Sequence, residues 1–176
     1  MNTCRLALIC LSALVISLPV APAAHAAKCA PTPWDEIGPF YRPNAPVRSS
    51  VGKGYVLSGT VRSSADCSPI PNARIEFWQT GPSGQYEDAY RATVISDKRG
   101  RYRLETYSPG GYANRPPHIH ILVDVKGYEG LITQHYPKKG AKSAGFDLVL
   151  LPEEQGAGTP AGRTEDLVRP GKKSPR

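Results

Sequence analysis

Short runs of β-branched and aromatic residues alternate with turn-forming clusters along most of the chain after Gly54. This pattern predicts strands, because alternation of apolar and polar positions with a period of two is typical of half-buried β-structure. No segment between the runs has the length and period of a helix. The predicted strands span residues 55–61, 73–79, 92–96, 101–107, 118–125, 131–134 and 146–151. We therefore expect an all-β fold, an antiparallel β-sandwich with long loops.

Both ends of the chain lack this strand pattern. A basic residue, an apolar stretch and small residues near position 26 are typical of a secretory signal peptide, so we predict that residues 1–26 are removed on export. Residues 27–151 then form one domain, and residues 152–176, which mix Gly, Pro and charge, form a flexible tail. The signal predicts a periplasmic or extracellular protein that has no membrane attachment after cleavage.

The composition narrows the class of protein further. A length of 176 residues fits one domain, and a hydrophobic content of 40% is enough for a core. The net charge of +7 is scattered along the chain rather than concentrated, so we expect no nucleic-acid partner. Cys29 and Cys67 are the cysteines left after signal removal, and in an exported protein we expect them to form a disulfide.

Two of the four histidines stand one residue apart at the start of a predicted strand. Strand alternation places His118, His120, Leu122 and Asp124 on one face and the alternating residues Ile119, Ile121, Val123 and Val125 on the other, which we expect to be the core face. Two neighbouring imidazoles on one strand can serve as metal ligands. A pair of surface histidines without a metal is the alternative.

Two imidazoles do not complete a metal site, and the residues alone leave the other ligands open. A carboxylate from Glu76, Glu87 or Asp124 would give the 2-His-1-carboxylate set of ferrous enzymes. Tyr86 and Tyr112 each follow closely behind a glycine turn, and their phenolate oxygens would suit ferric iron. Ordinary packing is the alternative for either tyrosine.

Several motifs occur in one order between about residue 37 and residue 151. They are Gly38-Pro39-Phe40-Tyr41, Glu76-Phe77-Trp78-Gln79 with Gly84-Gln85-Tyr86, Pro109-Gly110-Gly111-Tyr112, Arg115-Pro116-Pro117-His118-Ile119-His120 and Leu131-Ile132-Thr133-Gln134. This order resembles the intradiol ring-cleavage dioxygenases, the family of protocatechuate 3,4-dioxygenase and catechol 1,2-dioxygenase. The resemblance implies a prealbumin-like β-sandwich core.

The resemblance also implies a cofactor and a reaction. It implies one non-haem Fe(III) ion held by Tyr86, Tyr112, His118 and His120. The implied substrates are O2 and a small aromatic diol of the catechol type. The ring would open between its two hydroxyl-bearing carbons, and both atoms of O2 would enter a muconate-type diacid.

Further roles follow from the same resemblance. It implies that Tyr112 is an axial ligand that substrate displaces and that Arg115 and Gln134 act on the substrate in catalysis. The permanent charge of a guanidinium suits the stabilisation of developing negative charge. Tyr41 and Trp78 are weaker candidates for walls of the substrate pocket.

A non-catalytic interpretation competes with the enzyme. Segments such as Gly59-Thr60-Val61 and Pro69-Ile70-Pro71-Asn72-Ala73 also look like the prealbumin-like modules of secreted proteins, which bind carbohydrate or cell-wall partners without a metal. The two interpretations share a fold, so only the site can separate them. The sequence shows no counterpart of the helical dimerisation region of catechol 1,2-dioxygenases, and it leaves the ring substituents of the substrate and the formation of a homo-oligomer open.

Overall fold

The computed structural model of the protein describes residues 29–111 and 113–153. Eight strands make up its regular structure: β1 Tyr55–Ser63, β2 Arg74–Thr80, β3 Tyr86–Ile95, β4 Arg101–Thr106, β5 Ile119–Asp124, β6 Leu131–His135, β7 Ser143–Gly145 and β8 Leu148–Leu150. The predicted all-β class is confirmed. Over the same two ranges the chain has no helix of the length and apolarity needed to cross a membrane.

The strands form two sheets of four. One sheet has the order β4-β1-β7, with β8 also paired to β1, and the other has the order β3-β2-β5-β6. Every pairing in the second sheet is antiparallel, whereas β7 and β8 run parallel to β1. Those parallel pairings, and the strand Ser143–Gly145, were not predicted. A three-residue strand of small side chains has no apolar alternation to reveal it.

The main core contains side chains from both sheets. Leu57 and Leu104 contribute from the first sheet, and Ile75, Phe77 and Ile121 contribute from the second. All five are almost completely buried, and burial of a side chain of this size stabilises the fold by about 1.5–3 kcal/mol. The alternation predicted for the strand after residue 118 is confirmed, because Ile119, Ile121 and Val123 all lie in this core.

The opposite face of the second sheet carries a smaller apolar cluster. Trp78, Leu122 and Ile132 form it, and residues from the chain before β1 pack against it. Backbone hydrogen bonds attach this segment to the sheet, for example from the N–H of Asp35 to the carbonyl of Ile132. This covered face, rather than the main core, holds the candidate functional residues.

Two expected boundaries differ from the structure. Strand β3 begins at Tyr86 instead of residue 92. Tyr86 pairs with Thr80 of β2, and the register of the two strands shifts between Trp78 and Thr80. Pro152, the first residue of the predicted tail, forms a bridge with Tyr128, and the N–H of Glu153 donates to the carbonyl of Gly127. The predicted signal peptide and the rest of the tail lie outside the described residues.

Candidate metal centre

Strand β5 and the residue before it bring two imidazoles to the covered face of the second sheet. His120 lies in register between Trp78 of β2 and Gln134 of β6. His118 immediately precedes the strand. The two side chains are only 3% and 2% exposed, so the alternative of surface histidines is wrong.

Three donor atoms meet in a triangle at this position. The hydroxyl oxygen of Tyr86 lies 3.2 Å from Nε2 of His118 and 3.0 Å from Nε2 of His120. The two Nε2 atoms are themselves 3.0 Å apart. A single phenol hydrogen can satisfy only one of the two nitrogens, so hydrogen bonding alone explains this convergence poorly.

The protonation of the two rings favours metal binding. Nδ1 of His118 donates to the carbonyl of Pro116 at 2.7 Å, which leaves Nε2 as the nitrogen with a free lone pair. Burial, with a further contribution from the Arg115 cation, lowers the pKa of His118. Burial, the neighbouring His118 ring and Arg115 lower the pKa of His120 to about 3. Both imidazoles are therefore neutral at neutral pH, as a ligand must be.

The triangle fits a metal ion of the kind that the sequence predicts. Two donors at right angles on a metal, with bonds of about 2.1 Å, lie about 3.0 Å apart, which matches the observed spacing. A phenolate oxygen is a hard anionic donor and suits Fe(III) together with imidazole. Nδ1 of His120 is buried without a hydrogen-bond partner among the described residues, and the backbone of Glu36 partly opposes the lowering of the His120 pKa.

Two glycine turns that precede tyrosines in the sequence are in direct contact. Thr80 donates from its hydroxyl to the carbonyl of Gly110 at 2.8 Å. Gly84 has a φ of +79°, and a Cβ placed on it would lie 2.6 Å from the carbonyl oxygen of Gly111. Only glycine tolerates this combination of conformation and proximity. The position that follows, Tyr112, lies outside the described residues.

The Gly38-Pro39-Phe40-Tyr41 segment covers the triangle. A Cβ on Gly38, whose φ is +71°, would lie 3.0 Å from Cε1 of His120. The ring of Phe40 stacks on Tyr86, with centroids 4.3 Å apart and planes inclined by 16°. The segment therefore packs against two of the three donor side chains, His120 and Tyr86.

The two weaker pocket candidates pack against the triangle. Trp78 stacks on His120, with ring centroids 4.8 Å apart and an angle of 5° between planes. Tyr41 meets Trp78 edge to face and donates its hydroxyl to Glu76 at 2.6 Å. Burial and the bond to Glu76 raise the pKa of Tyr41. These contacts make Trp78 a support for His120, and they make Tyr41 a support for Trp78.

Arg115 and Gln134 form one hydrogen-bonded unit beside the histidines. Nη2 of Arg115 donates to Oε1 of Gln134 at 2.9 Å and to the hydroxyl of Tyr136 at 3.0 Å. Nε2 of Gln134 donates to the carbonyl of Glu36 at 2.6 Å. The ring of Tyr136 lies 5.8 Å from that of His118. The guanidinium is thus oriented by a buried amide and remains partly open to solvent.

The carboxylate alternative for the metal set does not form in the described part of the chain. Within residues 29–111 and 113–153, no three His, Cys, Asp or Glu side chains gather in a manner that could hold a metal ion. The carboxylate of Glu76 is engaged by Tyr41 and Arg74. Asp124 stands opposite Arg74 at the far end of β5 from the histidines.

The two cysteines of the predicted domain meet away from this cluster. Cys29 and Cys67 form a disulfide across a sequence separation of 38 residues. The bridge joins the first described residue to the turn that follows β1. Neither cysteine belongs to a group of metal-ligating side chains among the described residues.

Two contributors to the site escaped the sequence interpretation. Tyr136 was not singled out, although it follows Gln134 by two positions and therefore shares its strand face. Gly38 and Phe40 belong to a motif that carried little weight, since its contacts with His120 and Tyr86 span more than forty residues of sequence. The order of motifs was the available signal for Gly38 and Phe40, and the spacing of two from Gln134 was the available signal for Tyr136.

Comparison with known proteins finds relatives in the family that the order of motifs resembles. No family model matches the chain. Catechol 1,2-dioxygenase of Acinetobacter baylyi is 32% identical over 143 residues, which cover 58% of this chain and 45% of that enzyme. Chlorocatechol 1,2-dioxygenase of a Pseudomonas species is 28% identical over 160 residues, which cover 68% and 63% of the two chains. The chain thus spans about half the length of the curated relatives it matches.

A solved structure matches over nearly its whole length. The dioxygenase domain of a dioxygenase carbohydrate-binding protein fusion from Streptomyces sp. SirexAA-E superposes with a TM-score of 0.64 and 28% identity, over 70% of this chain and 99% of that domain. Fold and sequence therefore agree that the chain is similar to the intradiol ring-cleavage dioxygenases.

Proposed function

We propose that the protein is an Fe(III)-dependent intradiol dioxygenase. Its substrates would be O2 and a catechol-type aromatic, and its product a muconate-type diacid formed by cleavage between the two hydroxyl-bearing carbons. The convergence of Tyr86, His118 and His120 within 3.0–3.2 Å of one another carries this proposal. The catechol and chlorocatechol dioxygenases among its relatives support it.

The iron would be held by three described side chains and one further residue. Tyr86, His118 and His120 supply one phenolate and two neutral imidazoles, and Tyr112 is proposed as the fourth ligand. The proposal for Tyr112 rests on the family resemblance and on the contact between Gly84 and Gly111. Ferric iron, when bound, supplies Lewis acidity, which favours binding of a catechol as its anion and makes the ring reactive towards O2.

The chain's own residues would supply proton acceptance and charge stabilisation. The phenolate oxygen of Tyr112, once displaced by substrate, is proposed to accept a proton from a catechol hydroxyl. Arg115 is proposed to stabilise the negative charge that develops on substrate oxygen. Both ends of the Gln134 amide are already engaged, by the Glu36 carbonyl and by Arg115 and Tyr136. Gln134 would therefore orient the Arg115 guanidinium rather than bind substrate itself.

Close packing around the donors, two of which are buried, supports the proposal. Trp78 covers one face of His120, Phe40 covers Tyr86, and Gly38 lies against the His120 ring. Exclusion of water strengthens the interaction of the guanidinium with developing charge. The same packing limits ligand movement, as a preorganised site requires.

The non-catalytic binding module is the weaker candidate. A module that binds only carbohydrate or a cell-wall partner gives no reason to bury two imidazoles in contact with each other and with a phenol hydroxyl. The predicted export signal motivates a second proposal, that the enzyme acts in the periplasm or outside the cell. Mass analysis of protein expressed with its own N-terminus would test this, and an uncleaved chain in the cytoplasm would contradict it.

The reaction itself is tested by turnover of catechol with isotopically labelled oxygen. Iron-loaded full-length protein should consume one O2 per catechol and yield a diacid that contains both labelled atoms. A ring-opened product that carries an aldehyde, or a product labelled in neither oxygen, would contradict the intradiol assignment. The Tyr86→Phe variant is the matched control and should show little turnover.

A further inference from the structure

A cavity of about 340 Å³ lies on the other side of β6 from the metal centre. Neighbouring residues of a strand point to opposite faces, so Gln134 faces the triangle while His135 faces the cavity. Tyr55 of β1, Ala144 of β7 and Lys138 of the connecting loop also line it. Its volume lies in the range typical of small-molecule sites.

The polar wall of the cavity contains a buried hydrogen-bonded pair. The hydroxyl of Tyr55, a fully buried residue, lies 2.7 Å from Nε2 of His135 and has no other hydrogen-bond partner among the described residues. Donation from the hydroxyl to Nε2 is the arrangement that satisfies the buried phenol hydrogen, and it places the ring hydrogen of His135 on Nδ1. Burial lowers the pKa of His135 and raises that of Tyr55, which keeps both groups neutral. The pair leaves an N–H donor available to a ligand.

The charge around the cavity is of one sign. Lys138 lines it, and Lys139 and Lys142 belong to the same loop. No acidic residue lines it within the described chain, and none of the ion pairs found there involves these lysines. A cavity with such a potential attracts anions. Ala141 and Ala144 offer apolar surface to the body of a ligand.

We propose that this cavity is a binding site for a small carboxylate that has a planar apolar body. The Lys138 ammonium and the His135 N–H hold the carboxylate, and the body packs against the lining formed by Ala141 and Ala144. Aromatic acids and muconate-type diacids share this chemistry. These two classes of ligand differ in length and in the number of carboxylates, so an experiment can distinguish them.

Tyr136 connects the cavity to the catalytic side of the sheet. It lines the cavity, while its hydroxyl contacts the side chains of Gln134 and Arg115. A ligand in the cavity that shifts Tyr136 would therefore also affect the Arg115 guanidinium. This connection follows from shared residues and does not depend on the dioxygenase reaction.

Isothermal titration of the iron-free full-length protein tests the site directly, with benzoate and cis,cis-muconate as probes. We expect binding of benzoate or muconate to be weakened about tenfold by Lys138→Met, because one charge-assisted hydrogen bond is lost. Lys139→Met is the matched control and should change affinity less than about twofold, since that neighbouring lysine does not line the cavity. Preference for one probe identifies the class of carboxylate.

Three results would overturn the proposal. The wild-type protein could bind neither probe, or Lys139→Met could weaken binding as much as Lys138→Met, which would indicate general surface charge. Binding could also disappear in His118→Ala, which would place the probe at the metal centre. None of these measurements uses catechol turnover, so failure of this site and failure of the proposed reaction are distinguishable.

Discussion

Gly38 lies directly against the imidazole of His120, close enough that a Cβ would approach Cε1 to 3.0 Å. The contact joins the segment before β1 to strand β5, more than eighty residues later. Because Gly38 also has a φ of +71°, its lack of a side chain serves both the backbone conformation and the space that His120 needs. The segment before β1 and strand β5 thus both contribute to the candidate metal centre.

Gly38→Ala should lower iron affinity and the free energy of unfolding. The positive φ alone costs an alanine about 1 kcal/mol, and the added methyl also displaces the His120 ring. Gly127→Ala is a matched control, because Gly127 has a φ of +86° but a Cβ there meets nothing within 4 Å. The control should lose stability to a similar degree and keep its iron affinity. Equal iron affinity in the two variants would contradict this role for Gly38.

His118→Ala or His120→Ala should remove iron while leaving the sandwich folded. Loss of even an outer partner of a ligand weakens metal binding about 10–100-fold, so loss of a ligand should exceed that range. Metal analysis and circular dichroism check the two halves of this prediction. Full iron content in either variant would remove that histidine from the ligand set.

Much of the fold was predictable because strand alternation is a local property. The alternation from residue 118 placed the histidines and the isoleucines on opposite faces, as the structure has them. The first part of β3 was missed since Glu87, Asp88 and Ala89 are exposed polar or small residues without a buried partner pattern. Strand β7 was missed because its pairing with β1 depends on contacts between distant parts of the chain.

The candidate site was predictable in its residue types but not in its supports. Tyrosine and histidine types in a recognisable order pointed to the ligands, because donor chemistry is visible in sequence. The orientation of Arg115 by Gln134 and Tyr136 depends on side-chain geometry across two strands and a loop. The hydrogen bonds from Arg115 to Gln134 and Tyr136 could therefore not be predicted from the residue types alone.

Arg115→Ala should retain iron and slow turnover of catechol. Removal of one group that stabilises developing negative charge costs about 10²–10³ in kcat. Arg115→Lys should recover only part of the rate, because an ammonium cannot reproduce the planar fork held by Gln134 and Tyr136. Arg103→Ala, at an exposed position of β4, is the control and should leave kcat unchanged. Loss of iron from Arg115→Ala would reassign the residue to a structural role.

The double variant Cys29→Ser/Cys67→Ser should lower the free energy of unfolding by about 3–4 kcal/mol. The bridge closes a loop of 38 residues, and its removal enlarges the entropy of the unfolded chain. Denaturant titration measures the loss. Iron content should persist, since Cys67 follows β1 of the first sheet, whereas Tyr86 and His120 lie on strands of the second sheet. An unchanged midpoint would contradict a stabilising role for the disulfide.

Metal analysis combined with the visible spectrum of the purified protein tests the central claim most directly. We expect about one iron per chain and a broad charge-transfer band from tyrosinate bound to ferric iron. Tyr86→Phe should bleach or shift that band, whereas Tyr107→Phe, at an exposed tyrosine, should leave it unchanged. A colourless protein after iron loading, or a spectrum unaltered by Tyr86→Phe, would contradict a ferric centre built on Tyr86, His118 and His120.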